Sequence, residues 1–285
     1  MNLRTFAAAV LIGAAPAALF AQWPSYPTPG VPRTPDGKPN LSAPAPKTPD
    51  AKPDLTGIWE TVRAPAPAAA RNPKTSADLK GPVTNDDFLA AARRSPFWNL
   101  GASFKDGLPF QPWAAELHRQ RVAENNKDNP DAHCLPMGIM QFHNHPEPRK
   151  MIQTSQVIVI LYEANAGMRQ IFLDGRPLPK DPDPWWYGYS TGHWEGDTLV
   201  VQSAGFRDLG WLDVEGSPLT DTGHVIERFH RPDFGHLDIE VTIDDPKAYT
   251  KPWTVSVHQQ IMVDTEIIEF VCQENEQDAP HLTAK

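Results

Sequence analysis

The stretch Leu237-Asp238-Ile239-Glu240-Val241-Thr242-Ile243 decides the fold, because its apolar and polar residues alternate strictly. A period of two places successive side chains on opposite faces of a β-strand, so this pattern predicts a strand with one buried face. Strand-like segments at 225–230 and 254–261 flank it across short turns. These three segments predict neighbouring antiparallel strands.

Further strands are predicted at 55–62, 152–162, 167–173, 198–202 and 266–272. The turns between the later segments are too short for crossover helices, so the segments must pair as an antiparallel meander. We therefore predict a mainly β protein whose sheet forms a barrel or is strongly curved.

The sequence predicts one β-rich domain over residues 54–285, with a mixed first part (54–150) and antiparallel strands after it (151–285). In the mixed part, Thr84 or Asn85 is a candidate N-cap for a short helix that reaches Arg93. Pro112 suits the first turn of a second helix, at 113–124.

The first 21 residues have the pattern of a signal peptide. Arg4 gives a positive start, an apolar stretch follows, and Ala21 is a small residue at the expected cleavage position. No later stretch is long and apolar enough to span a bilayer. We expect an exported protein, periplasmic or secreted, with no membrane span.

Residues 22–53 form a proline-rich arm that contains a repeat. The segment TPDGKPNLS (34–42) recurs as TPDAKPDLT (48–56). Such a composition favours polyproline II conformation and buries no core of its own. We expect the arm to pack along the domain surface, and a role in binding a protein partner stays open.

Cys134 and Cys272 are the two cysteines of the chain. Two cysteines in an oxidising compartment usually pair. Such a bridge would tie together the two ends of the β region and stabilise the fold by about 5 kcal/mol through chain entropy. Two buried free thiols are the alternative.

The net charge of −9 argues against a nucleic-acid partner, because phosphate binding requires a clustered basic surface. A small organic molecule is the partner that the sequence favours. Aromatic side chains are dense between residues 185 and 211, and flat rings beside polar groups suit a sugar or an aromatic ligand. The candidate ligand contacts are Arg176, Trp186, Tyr187, Tyr189, His193 and Trp194. Rings that only fill the barrel are the alternative.

The same region offers a catalytic hypothesis, a cofactor-independent hydrolase, lyase or isomerase acting on a carbohydrate or an aromatic molecule. Glu195 or Asp197 would be the acid or base, with His193 as its partner. A carboxylate beside a tryptophan tends to have a raised pKa, which suits a general acid. Glu195 and Asp197 also suit a plain turn, and this alternative stays open.

The motif Gly188-Tyr189-Ser190-Thr191-Gly192 matches G-x-S-x-G, but it lacks the strand-to-helix context of a hydrolase nucleophile. A tight glycine-flanked turn explains it better. In the strand 225–230, Glu227 and Arg228 place opposite charges on opposite faces. A charge that points inward must be paired or functional.

A third hypothesis is copper binding by a His/Met loop, because imidazole and thioether are ligands that copper prefers. The candidate ligands are Met137, Met140, His143 and His145. The loop has no regular ligand spacing, so a proline-rich loop that packs its methionines inward explains it equally, and we expect no cofactor. A fourth hypothesis is a structural envelope protein.

Four segments resemble a large family of uncharacterised exported bacterial proteins: KPDLTGIW (52–59), CLPMG (134–138), DGRPLP (174–179) and GHWEGDTLVV (192–201). The resemblance covers nearly the whole mature chain and implies export, but it implies no catalytic residue. Gly57-Ile58-Trp59 is also similar to the G-x-W signature of lipocalin-like barrels, which implies a meander barrel. The leading hypothesis is thus an exported, lipocalin-like barrel that binds a small organic molecule.

Overall fold

A computed structural model describes residues 27–62 and 95–274. Within these ranges the chain forms a closed β-barrel of nine strands. The predicted signal peptide and the predicted helix that reaches Arg93 lie outside the described residues. The prediction of a mainly β, barrel-like fold is confirmed.

The strands are β1 (Gly57–Thr61), β2 (Arg149–Gln153), β3 (Val157–Tyr162), β4 (Met168–Phe172), β5 (Tyr189–Glu195), β6 (Thr198–Ala204), β7 (Gly210–Trp211), β8 (Pro218–Leu219), β9 (His224–His230), β10 (His236–Asp244) and β11 (Trp253–Met262). The short strands β7 and β8 form a separate pair, and the other nine follow one another around the barrel in chain order. The helices are α1 (Pro112–Ala123) and α2 (Ile139–Asn144), with short 3-10 helices at Leu100–Ser103, Pro130–His133 and Ala164–Ala166. The prediction of a helix that starts at Pro112 is confirmed.

One contact in the barrel is parallel, between β4 and β5, where Ile171 lies opposite Ser190. The other contacts are antiparallel. Strands that alternate in direction can close a ring only when their number is even. A closed barrel of nine strands therefore requires a parallel contact, and the prediction of a wholly antiparallel meander is wrong at this junction.

Three local predictions are also wrong. The segment 152–162 is not one strand but parts of β2 and β3, because Thr154 closes a turn by donating its hydroxyl to the carbonyl of Val157, at 2.9 Å. Residues 188–192 are not a tight turn, since Tyr189 begins β5. Residues 266–272 form no strand and lead instead to the disulfide at Cys272.

The apolar face of β10 points into the barrel, where Leu237, Ile239, Val241 and Ile243 are fully buried. Residues from the neighbouring strands complete this core, among them Phe229 on β9 and Ile261 on β11. The alternation read from residues 237–243 is thus the pattern of a strand with one face in the core.

One end of the barrel, the arm end, is covered by the proline-rich arm. The backbone N–H groups of Phe234 and Gly235 donate to the carbonyls of Ala43 and Leu41, both at 2.7 Å. Arg33 of the arm pairs through its guanidinium with the carboxylate of Asp264, just beyond β11, at 2.9 Å. The arm therefore packs against the barrel through backbone as well as side-chain contacts.

The two copies of the repeat fold into the same small turn. The N–H of Thr34 donates to the carbonyl of Lys38 at 2.8 Å, and the N–H of Thr48 donates to that of Lys52 at 2.8 Å. The turn requires a left-handed residue, which is Gly37 (φ 83°) in the first copy and Ala51 (φ 60°) in the second.

This difference gives a first prediction. Ala51→Gly should raise the free energy of unfolding by about 0.5–1 kcal/mol, because the left-handed region is strained for alanine and free for glycine. Gly37→Ala, the matched control, should lower it by about the same amount. Urea denaturation of both variants checks this, and a loss of stability in Ala51→Gly would contradict it.

Candidate functional site

The end of the barrel opposite the arm, the helix end, is filled by α2. The five residues from Ile139 to His143 are all buried. Gly138 precedes the helix, and a Cβ atom there would lie 1.7 Å from the carbonyl oxygen of Trp211. Only glycine therefore lets α2 enter the barrel this deeply.

Beneath α2 the barrel holds a buried ion pair. Arg169 on β4 and Glu227 on β9 point inward, and their guanidinium and carboxylate groups bond twice, once at 2.9 Å from Nη1 to Oε1. The side chains are 1% and 0% exposed. The expectation that an inward charge of the Glu227-Arg228 pair must have a partner is therefore confirmed for Glu227.

Two serines and one histidine also contact this pair, and the buried Tyr162 lies close to Arg169. Arg169 donates from Nη2 to Ser190 Oγ at 3.1 Å and to Ser203 Oγ at 3.0 Å. His143 Nε2 lies 2.6 Å from Glu227 Oε1. The serine of the G-x-S-x-G motif is thus a buried hydrogen-bond partner of Arg169, inside the barrel.

The ionisation of these groups follows from burial and from the neighbouring charges. Burial alone would raise the pKa of Glu227, but Arg169 and the hydrogen bond from His143 outweigh it and hold the pKa at about 2. Burial lowers the pKa of His143 despite the attraction of Glu227, so the imidazole is neutral at neutral pH. Because an ionised carboxylate only accepts hydrogen bonds, the proton of His143 lies on Nε2, and Nδ1 is a bare acceptor.

A second buried guanidinium, Arg149 on β2, fixes the end of α2. It donates to the carbonyl of His143 at 2.9 Å, to the carbonyl of His145 at 3.2 Å and to the hydroxyl of Thr61 at 2.7 Å. Burial lowers the pKa of Arg149 to about 10, so the group stays charged at neutral pH. Within the described ranges, no carboxylate lies against it.

Four buried side chains in this region carry polar atoms without a hydrogen-bond partner among the described residues. They are both amide atoms of Gln141, Nδ1 of His143, Nε of Arg149 and both amide atoms of Gln259. Gln259 lies directly opposite Thr61 in the pairing of β11 with β1, and Thr61 contacts Arg149. We call these four residues, together with Thr61, Arg169, Ser190, Ser203 and Glu227, the polar layer.

A cleft of about 230 Å³ lies at the helix end of the barrel, and its lining residues do not include a member of the polar layer. It is lined by Pro96, Leu100, Ser103, Phe104, Asn144, Thr254, Val255, Ser256 and Val257. Asn144 stands between His143 and His145, whose carbonyls both accept from Arg149. Asn144 therefore connects the cleft with the segment of backbone that Arg149 holds.

The structure distributes the predicted ligand contacts over several places. Arg176 and Tyr189 lie together on the outer surface, where Arg176 Nη1 donates to the Tyr189 hydroxyl at 3.1 Å and stacks over Phe172 at 4.0 Å. Trp186 instead stacks with Arg207 at 4.7 Å. These contacts form a surface cluster around Tyr189 and a separate pair at Trp186.

Tyr187 and Trp194 face the interior. The ring of Tyr187 meets that of Phe142 edge-on at 5.0 Å, close to α2. Trp194 is partly buried and packs against the core. Tyr187 is thus the predicted ligand contact that the structure places beside α2 and the polar layer.

The predicted catalytic group lies on the outside of the barrel. His193 Nε2 is 3.3 Å from Glu195 Oε1, and Glu195 Oε2 is 2.8 Å from Arg228. Asp197 lies in the β5–β6 turn, where Lys47 of the arm approaches it at 3.3 Å. Hydrogen bonds from Arg228 and then His193 lower the pKa of Glu195, which is the opposite of the raised pKa expected for a general acid.

The candidate copper ligands do not converge. Met137 and Met140 are buried in the apolar core, and His145 meets the ring of Phe97 edge-on at 5.0 Å. His143 is bound to Glu227. In residues 27–62 and 95–274, no three His, Cys, Asp or Glu side chains are grouped as metal ligands.

The predicted disulfide is confirmed, since Cys134 and Cys272 are bonded across 138 residues of sequence.

No helix of the described chain has the length and apolarity that a membrane crossing requires. No family model, no curated protein and no solved structure matches the chain. The geometry of the polar layer therefore carries the functional argument.

Proposed function

We propose that this chain is an exported binding protein that holds a small organic molecule in the polar layer at the helix end of its barrel. The signal-peptide pattern and the disulfide support export. The resemblance to the family of exported bacterial proteins supports it as well, and we propose membership of that family.

The observation that carries the proposal is the set of unpartnered polar atoms on Gln141, His143, Arg149 and Gln259. Buried polar groups in native proteins are nearly always hydrogen-bonded, and each one left unpaired costs about 1–3 kcal/mol. Four such side chains in one layer of a barrel match a site whose partners arrive with a ligand. The cleft at Asn144 lies at the same end of the barrel, and Asn144 directly follows His143 in the chain.

Two glutamines provide a matched test. Gln259→Leu should raise the free energy of unfolding by about 1–3 kcal/mol, because it removes an amide that has no partner in the free protein. Gln153→Leu should lower it by a similar amount, because Gln153 accepts from the N–H of Leu55 at 2.8 Å and donates to the carbonyl of Pro53 at 3.1 Å. Urea denaturation of the two variants measures both effects.

Native mass spectrometry of the mature chain, purified from the host that encodes it, tests the binding itself. We expect an added mass of a small organic compound on the wild type and its loss in Gln259→Leu. A bare wild-type chain, together with a Gln259→Leu variant that is destabilised like Gln153→Leu, would show that the amide serves the fold, and the proposal would be wrong.

A further inference from the structure

The polar layer carries a net positive charge, and this charge indicates the class of molecule that would bind there. Arg149 and Arg169 contribute two positive charges, Glu227 contributes one negative charge, and His143 is neutral. Glu227 is fully engaged by Arg169 and His143. The charge of Arg149 is therefore left without a counter-ion in the described chain.

A buried charge without a counter-ion is costly, because the interior cannot solvate it as water does. Arg149 is 1% exposed, and the groups that it contacts are two carbonyls and one hydroxyl. These neutral acceptors satisfy its terminal nitrogens only in part, and Nε has no acceptor at all among the described residues. Planar guanidinium groups bind carboxylates through two parallel hydrogen bonds, and Nε takes part in such pairs.

The other unpartnered atoms at the helix end of the barrel are both donors and acceptors. Gln141 and Gln259 each offer an amide donor and an amide acceptor, while Nδ1 of His143 is an acceptor. A molecule that brought only a carboxylate would leave these acceptors without a donor. A molecule with a carboxylate and a hydroxyl group would supply acceptors to Arg149 and a donor to His143 or a glutamine.

We propose that the polar layer binds a small organic anion, a carboxylate with a nearby hydroxyl, and that Arg149 is its charge partner. This inference rests on the proposed binding function. For a ligand that reaches the layer from the cleft at Asn144, the apolar lining by Leu100, Phe104, Val255 and Val257 favours a hydroxy acid with a compact apolar part. Its volume of about 230 Å³ lies below the range of about 300–1,000 Å³ that is usual for drug-sized ligands.

Matched probes test the inference on the mature, disulfide-bonded chain. Mandelate has the carboxylate and the hydroxyl, mandelamide lacks the charge, and phenylacetate lacks the hydroxyl. In calorimetric titrations of the wild type we expect mandelate to bind at least tenfold more tightly than mandelamide, and more tightly than phenylacetate. Arg149→Met should remove the preference for mandelate over mandelamide, and Arg149→Lys, which keeps the charge, should restore part of it.

Controls separate this inference from the proposed function and from misfolding. Far-ultraviolet circular dichroism and a thermal midpoint establish that each variant is folded. Gln259→Leu keeps the charge and should weaken mandelate and mandelamide alike. If Arg149→Met does not fold, two measurements still test the inference. They are the preference of the wild type for mandelate over mandelamide, and the change of this preference in Arg149→Lys.

The molecule released from the natively purified chain gives the second measurement. A carboxylic acid, found by negative-ion mass spectrometry, would support the inference. A neutral compound, or a wild type with no preference for mandelate over mandelamide, would overturn it while leaving the binding function intact. A chain that carries no compound and binds none of the three probes would overturn both.

Discussion

Glu227→Gln is expected to lower the free energy of unfolding by about 3–5 kcal/mol, which is the usual cost of leaving one partner of a buried ion pair without the other. The carboxylate of Glu227 accepts two hydrogen bonds from Arg169 and one from His143, and the three side chains are buried. The amide that replaces it carries no charge to offset Arg169. Urea denaturation at neutral pH gives the difference directly.

Glu195→Gln is the matched control, because Glu195 also pairs with an arginine but on the outer face of the same barrel. Its carboxylate lies 2.8 Å from Arg228, and the two side chains are 50% and 42% exposed. Exposed pairs of this kind contribute about 0–1 kcal/mol. A cost for Glu227→Gln no larger than that for Glu195→Gln would contradict the importance of the buried pair.

Removing both charges completes the test. Arg169→Met with Glu227→Leu should recover much of the stability that Glu227→Gln loses, since no unpaired charge then remains buried. A coupling energy of about 1–3 kcal/mol is the expected result of a double-mutant cycle that uses Arg169→Met and Glu227→Leu singly and together. If the two substitutions change the free energy of unfolding additively, the barrel tolerates Arg169 without its partner, and the predicted coupling is wrong.

The dependence on pH has a definite sign. The pKa of Glu227 is held at about 2 in the folded chain, below its ordinary value of 4.5. The stability from this shift is therefore fully present above about pH 4.5 and is lost as the pH falls towards 2. Glu227→Gln should flatten this part of the acid denaturation curve.

The barrel could be predicted because its strands carry local signals. The alternation at 237–243 identifies a strand with one buried face, and the charges of Glu227 and Arg228 fall on opposite faces in the same way. The turn at Thr154 contains no glycine or proline. The apolar residues of β2 and β3 on its two sides therefore look like one continuous strand in the sequence. The closure with nine strands is a property of the whole ring, so no local pattern predicts the parallel contact of β4 with β5.

The polar layer was harder to predict, because its members come from distant segments. The sequence marks Glu227 as a charge that needs a partner if it points inward, whereas Ser190 belongs to a G-x-S-x-G motif and His143 to a His/Met loop. Arg169 offered one usable signal, since it shares a face with the buried Ile171 two residues along β4. Gln141 and Gln259 carry no comparable signal, because glutamine is mostly exposed in folded proteins and nothing in the sequence marks these two as inward-facing.

The aromatic residues between 185 and 197 are close in sequence, but the structure places them in different parts of the molecule. Tyr187, which precedes β5, meets Phe142 beside α2, while Tyr189 stacks on Phe172 on the outer surface. Along a strand, side chains alternate between the two faces, so a dense run of rings divides into an inner and an outer set. The candidate site is therefore formed by inward-facing positions of several strands and not by the run 185–197.

Reduction of the disulfide is expected to have the other large effect, a loss of about 5 kcal/mol in the free energy of unfolding if chain entropy dominates. The bridge from Cys134 to Cys272 closes a loop that contains every barrel strand from β2 to β11. Opening it frees the unfolded chain far more than the folded one. Urea denaturation with and without a reducing agent measures the difference.

Cys134→Ser with Cys272→Ser is the control, because this double variant should match the reduced wild type and should not respond to the reducing agent. The bridge also fixes the chain five residues before α2 begins at Ile139. Since α2 carries Gln141 and His143 into the polar layer, reduction should weaken ligand binding as well as the fold. A reduced chain with undiminished stability would instead mean that the segment 263–274 detaches alone, and that the barrel between the two cysteines holds itself closed.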